Sequence, residues 1–526
     1  MVHSLFGPFP RPLSSVNQLA ERPAVVAGQT ALIGALILVP LLYTLVPPLE
    51  DYPNHLARIF ALATLRSSPA LASFYEIQWS MIPNLIMDLV APPLVPWVGI
   101  YAAGRIFIGA ALLLMLTGPV LLHRVVHGVW SAWPLVGAIL VYNGFVFVGL
   151  LNYLFGVGLA VWGLTAWVAL ADRGAILRGV VSFAVCAILY TCHLSALGLY
   201  GVAVGSFELW RLAAMRRFEI RPALARLASL VLPALPFGYV LVKSPTWGLV
   251  TEMEWEAQGK LDALVSLVSV YSDFTDIPLL ILAGLGLTLA VKQRRVRIHP
   301  AGIFALVALT AAFVAMPRTA FGSGMADQRL AVGIFFLVLG FVSIDLRGIY
   351  NTFFALCLAA VAMRVVDVSV TWSATSQSVL EMKHSLRAVA RGARLLVTEA
   401  DEPAQEDDAP ISTALAHAPT LAVIEREALV SRLFVVPGKQ VLQANAVAAP
   451  HVDTNDADTP HIGRVVAAAS APSPDGPNYW DLWPRFYDYV IVLRTDPDDT
   501  VNPAPDRLRI LHNGRAFKLY AVTRHD

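Results

Sequence analysis

Glu50 and Asp51, adjacent carboxylates followed by His55 and Arg58, are the residues of this chain whose types and spacing best suit chemistry. They lie in the string PPLEDYPNHLARIFALA, residues 47–63. Pro53 suits a first helical turn, so a helix is expected to begin around Tyr52. Asp51, His55 and Arg58 then fall at i, i+4 and i+7, on one face, and Leu56, Ile59, Phe60 and Ala63 form the opposite, apolar face. This pattern predicts a helix lying on a membrane surface, with acid, imidazole and guanidinium turned toward a common space. A carboxylate so placed can take a proton from an acceptor hydroxyl. An arginine can hold a phosphate leaving group through two parallel N–H donors. The plainer alternative makes Asp51 the N-cap of the helix, worth about 1 kcal/mol, and leaves His55 and Arg58 as ordinary interfacial side chains. One cap does not need two carboxylates; if Asp51 caps, Glu50 is the better base.

Other polar residues gather near the same membrane face. Asn84 and Asp88 are four apart, as on one helix face, and a carboxylate at membrane depth is costly and often functional. Asp51 and Asp88 are the candidates for a divalent metal, Mg or Mn, which their spacing does not require. Asn152 and Tyr153 sit at one expected turn and His193 at another. A lone histidine is most often a packing residue, but its neutral imidazole can donate to a substrate hydroxyl. Arg318, Asp327, Gln328 and Arg329 bracket a further loop. Arg329 opens an apolar span, so it must reach the interface or find an anion. Two arginines there suit a phosphate or pyrophosphate; an Asp327–Arg329 ion pair is the structural alternative. Gly-Ser-Gly at 322–324 would let this loop move as a gate.

The elements that must position these groups are apolar runs. Of 526 residues, 57% are hydrophobic and 14% charged, against about 25% charged in soluble proteins. Runs at 25–47, 98–121, 132–149, 152–171, 178–192, 194–210, 227–243, 277–291, 301–316, 329–345 and 350–370 predict about eleven transmembrane helices. The first is too long for a cleavable signal and reads as the first span. Residues 1–24 are then a cytoplasmic segment, 25–373 the membrane domain with outer loops 48–97, 244–276 and 317–328, and 374–526 a small α/β domain outside. Fifteen Lys and Arg fall in the segments assigned to the cytoplasm and five in those assigned outside, which orients the array. The cluster Arg211, Arg216, Arg217, Arg221 and Arg226 is a topology determinant and anionic-lipid contact. In the second loop, Glu252, Glu254, Trp255 and Glu256 precede LDALVSLVSVY, an amphipathic stretch.

In the tail, 394–400, 421–427, 432–438, 487–495 and 517–524 read as short strands around an acidic loop, 401–411. Net charge is +1, which gives no footprint for nucleic acid. Cys186, Cys192 and Cys357 read as buried small hydrophobes without disulfides or metal.

An acidic pair in the first outer loop after helix one resembles the GT-C superfamily, integral membrane glycosyltransferases that use polyprenyl-phosphate-linked sugars. Here the pair is Glu50-Asp51, and the order of spans, loops and tail is similar. The string DYPNHLAR also resembles uncharacterised bacterial multi-pass proteins, and the tail has no WWDYG-like motif of oligosaccharyltransferases. The resemblance implies an inverting transferase in the bacterial cytoplasmic membrane. It would move a sugar from a polyprenyl-phosphate donor to a glycan, lipid or protein acceptor, with Asp51 or Glu50 as base. His55, Arg58, Asn84, Asp88, His193, Arg318, Asp327, Gln328 and Arg329 would hold the substrates. A transporter or flippase of a lipid-linked precursor, or a non-catalytic envelope scaffold, are the competing readings. A transporter predicts polar residues deep in several spans and internal repeats, whereas polar residues here collect at one face and no repeat is visible.

Overall fold

The computed structural model describes residues 22–524 except 216–219, 250–253, 322, 403–408, 456, 472 and 474–475. Arg11, Arg216, Arg217, Glu252, Gly322 and most of the acidic loop lie outside the described residues. The chain is a polytopic helical membrane protein followed by a small α/β unit.

Among the described residues, seven helices are long and apolar enough to cross a membrane: Pro23–Tyr43, Ile100–His127, Leu151–Ala169, Ala175–Cys192, Ala223–Lys243, Asp273–Lys292 and Tyr350–Ala388. Leu194–Ala213, Pro300–Ala315 and Ala326–Phe341 pack among them. The apolar run 132–149 is not one helix. It is a 3-10 helix, Trp133–Leu140, and a short α-helix, Gly144–Val148. Pro134 starts the first piece, and Asn143 separates them by accepting the Phe145 N–H at 3.1 Å. Pro233 divides 227–243 into Ile220–Val231 and Leu235–Lys243. The last helix, Tyr350–Ser385, passes unbroken over the expected 373/374 boundary.

Asp273–Lys292 leaves Phe274, Ile277, Leu280, Ile281, Leu285 and Leu289 exposed. A continuous apolar surface of this kind belongs against lipid. Inside the bundle, two buried arginines are paired with acids. Arg178 meets Glu208 at 2.5 Å, and Trp167 donates to the same carboxylate at 2.9 Å. Arg364 binds Asp276 and donates to the Val268 carbonyl at 3.1 Å. Pairing is what makes such groups tolerable at membrane depth. The three cysteines are free and buried.

The tail carries a five-stranded sheet in the order Leu429–Val430, Arg394–Glu399, Tyr489–Leu493, Phe517–Val522, Leu508–Asn513. The first three strands are parallel and the last two join antiparallel. Two expected strands differ. Residues 421–427 form a helix, Leu421–Arg426, ended by Glu427 in the left-handed region at φ 51°. Residues 432–438 are irregular, and the pairing strand follows at Leu442–Ala444. That strand runs antiparallel to Tyr75–Ile77 of the first loop, so loop and tail share a sheet.

Candidate functional site

The helix expected near Tyr52 spans Tyr52–Thr64. Its apolar face does not lie on a surface, because Tyr52 through Ile59 are all buried. One side presses on Ile100–His127, where Gly104 makes room: a Cβ there would lie 2.3 Å from the Tyr52 hydroxyl oxygen. The other side is covered by the tail helix Leu421–Arg426.

Asp51 stands at the helix start but makes no side-chain cap hydrogen bond. Its backbone is held from elsewhere. Glu50 N–H donates to the Phe147 carbonyl at 2.8 Å and Asp51 N–H to the Val148 carbonyl at 3.0 Å. The next residue, Gly149, has φ +93°, and a Cβ there would meet the Asp51 Cβ at 3.0 Å. Only glycine combines that dihedral with that approach. The acidic pair is thus pinned by the short helix inside the run that hydropathy reads as a span.

Behind Asp51 runs a buried relay. Arg58 Nε donates to Asp88 at 2.9 and 3.1 Å, and an Arg58 terminal nitrogen lies 3.0 Å from His55 Nδ1. Arginine has only donors, so Nδ1 must accept. The His55 proton is then on Nε2, 3.3 Å from the Gly149 carbonyl. Burial first, and the Arg58 cation second, hold this imidazole well below the usual histidine range, so it is neutral at pH 7. Burial raises the Glu50 carboxyl, opposed by the Arg494 guanidinium.

Glu50, Asp51, His55, Arg58, Asn84, His193 and Arg329 line one cavity of about 720 Å³. The buried Arg329 guanidinium contacts His193 Nε2 at 2.7 Å and donates to Ser323 Oγ at 2.9 Å. Among the described residues, its Nε has no hydrogen-bond partner and no carboxylate lies within ion-pair distance. Tyr153 donates to the Arg329 carbonyl, fixing the start of its helix. The other wall is apolar, built by Leu194, Leu199, Val202, Leu309, Ala312, Met316 and Leu330. The cavity thus combines charged groups with hydrocarbon, the mixture that an amphiphile with an anionic head requires.

Four of the expected site residues lie outside the cavity lining. Asp88 is the Arg58 counter-ion. It also does not share a helix face with Asn84, since the helix starts at Ile86 and Asn84 precedes it at φ +69°. Asn152 fastens that turn, donating to the Asn84 carbonyl at 2.8 Å and accepting from Met87 N–H at 3.0 Å. Arg318 pairs with Glu256 at 2.5 Å, and Asp327 with Lys260 at 2.7 Å. Gln328 is buried beside Asp327, whose carboxylate accepts the Gln328 N–H at 2.8 Å. These contacts stitch the second loop to the third, and Asp327 is not the partner of Arg329.

The tail supplies lining that the sequence analysis does not include: Phe434, Gly438, Lys439 and Gln440. The turn at 436–440 is clamped to the second loop by Thr246, which donates to the Gly438 carbonyl at 2.7 Å. The sequence hint was the Pro437-Gly438 turn with a cation and an amide at its tip. His417 also approaches, its Nε2 lying 3.5 Å from Asp51 Oδ1.

The suggested metal pair does not fit. Asp88 has both oxygens on Arg58, and among the described residues no three His, Cys, Asp or Glu side chains gather as a metal ion needs.

No family model matches the chain, and no curated protein matches it in sequence. Its fold is similar to the crystal structure of ArnT from Cupriavidus metallidurans bound to undecaprenyl phosphate. The TM-score is 0.51 at 12% identity, covering 96% of this chain and 98% of that one. The apo structure of the same protein gives 0.51 at 12% identity, covering 94% and 98%. The likeness takes in bundle and tail together, and it is a likeness of fold.

Proposed function

We propose that this chain is a membrane glycosyltransferase that moves a sugar from a polyprenyl-phosphate donor to an acceptor hydroxyl, with Asp51 as general base. The observation that carries this reading is the carboxylate of Asp51, unspent on helix capping, in the same cavity as the guanidinium of Arg329, which has no ion-pair partner within 4.0 Å among the described residues. Undecaprenyl phosphate, bound in the ArnT structure, has an anionic head and a long apolar tail, which suit the charged and apolar groups of this lining.

The step follows from the charges. Asp51 accepts the acceptor's O–H proton. The freed oxygen attacks the anomeric carbon, and the bond from that carbon to the phosphate oxygen breaks. Polyprenyl phosphate leaves with the bonding electrons, and Arg329 holds the charge that develops on it. A single displacement inverts the anomeric centre. His55 and Arg58, locked by Asp88, keep Gly149 and hence Asp51 in place. The Lys and Arg distribution orients this face away from the cytoplasm, with the amino terminus inside and residues 374–526 outside the bacterial cytoplasmic membrane. The acceptor is a glycan, lipid or protein hydroxyl. Within the bundle, the Arg178–Glu208 and Arg364–Asp276 charges are neutralised as pairs, which favours chemistry at one face over a conduction path.

The test is sugar transfer in reconstituted membranes with Asp51→Asn, Glu50→Gln and both together. Asp51→Asn should abolish transfer and Glu50→Gln should spare part of it; an active double variant would end the carboxylate-base reading.

A further inference from the structure

We propose that His417, delivered by the tail, is a positioning residue for Asp51, donating its Nε2–H toward the carboxylate. The inference rests on the reading of Asp51 as base. It follows from a chain of hydrogen bonds whose directions are forced. Asn54, one helical turn from Asp51 on the buried helix, accepts the Phe434 N–H on Oδ1 at 2.8 Å and donates from Nδ2 to the Arg432 carbonyl at 3.0 Å. These two backbone contacts settle which end of the Asn54 amide is nitrogen. The same Nδ2 lies 3.2 Å from His417 Nδ1, so that ring nitrogen must offer its lone pair. A neutral His417 then carries its proton on Nε2, the atom 3.5 Å from Asp51 Oδ1.

The ring is held for the purpose. It packs edge-on against Phe434, centroids 4.8 Å apart, and Phe434 itself lines the cavity. Among the described residues, Asp51 and His55 both face His417; His55 is kept neutral by burial and Arg58, and Asp51 brings a negative charge to the ring. The tail backbone thus sets an asparagine, the asparagine sets a tautomer, and the tautomer aims a donor at the base. At 3.5 Å the contact is loose, and catalytic contacts of this kind tighten once substrate is bound. The donor holds Asp51 ionised and directed into the cavity until the acceptor proton arrives.

Two measurements test this on the full chain. In reconstituted membranes, His417→Ala should lower kcat by roughly 10- to 100-fold with the donor KM unchanged, and His417→Gln, whose amide nitrogen can replace Nε2–H, should recover most of the loss. Separately, with 15N-labelled histidine and the His417 signal assigned by its absence in His417→Gln, nitrogen shifts should report the Nε2–H tautomer. The pKa of that ring should fall by on the order of one unit in Asp51→Asn, as the loss of a neighbouring negative charge requires. An Nδ1–H tautomer, an unmoved pKa, or full kcat in His417→Ala would each overturn the assignment. The spectroscopic arm needs no sugar transfer. Failure of the base reading, seen as an active Asp51→Asn enzyme, is therefore told apart from failure of the His417–Asp51 coupling.

Discussion

Arg58 and Asp88, thirty residues apart in sequence, form a buried ion pair at 2.9 Å, and the same guanidinium reaches His55. The pair ties the first-loop helix to the turn beneath it, and Asp88 balances the Arg58 charge at the cavity wall. Arg58→Met strands a buried carboxylate and should cost about 3–5 kcal/mol of stability. Adding Asp88→Leu should restore most of it, since a packed apolar pair replaces the ion pair. Thermal unfolding in detergent of the two single variants and the double variant checks the pattern.

Gly149 should be intolerant of a side chain. Alanine at φ +93° is strained, and its Cβ would push on Asp51. Gly149→Ala should fold, with transfer lowered on the order of 100-fold, the cost of a displacement of about 1 Å at a reacting group. Helical content and kcat, measured on the same preparation, separate misplacement from misfolding.

Arg329 should trade stability for binding. With no carboxylate in ion-pair contact among the described residues, it is a buried cation that the fold tolerates at a cost. Arg329→Met should weaken binding of polyprenyl phosphate by about 10- to 100-fold, the worth of a charged hydrogen bond of about 1.5–3 kcal/mol. The unfolding temperature without ligand should hold or rise. A drop in that temperature with donor binding intact would contradict the phosphate assignment.

His55 should shape the acid limb of stability. Its folded-state pKa is depressed, so below the ordinary value of about 6.5 the unfolded chain binds the extra proton and folding weakens. The contribution is complete above pH 6.5 and declines as pH falls from there. Unfolding temperatures between pH 7.5 and 5, as buffers to be scanned at roughly half-unit steps, should fall more for wild type than for His55→Gln.

Much of the architecture is local information and could be read from the chain. Apolar length marks most of the membrane helices, and Pro53 with the 51–55–58 spacing places the first-loop helix and its polar face. Other segments were ambiguous for physical reasons. LAVIERE opens with the short apolar run LAVI, which suits strand or helix; contact with the helix Tyr52–Thr64 goes with helix. The run 132–149 is apolar enough for a span, but hydropathy is blind to Asn143, which ends one helical piece and caps the next.

By itself the sequence determined a many-helix membrane chain, a small α/β tail, and an acidic pair beyond the first span. These follow from composition and from periods of a few residues, which act over one turn of backbone. Only the tertiary structure decided how the charges are shared. It gave Asp88 to Arg58, Asp327 to Lys260 and Arg318 to Glu256, left Arg329 facing a cavity with Asp51, and brought His417 beside that carboxylate from the far end of the chain. Ionic partnership in a low-dielectric interior depends on which groups lie within a few ångströms, and that is set by packing between segments distant in the sequence.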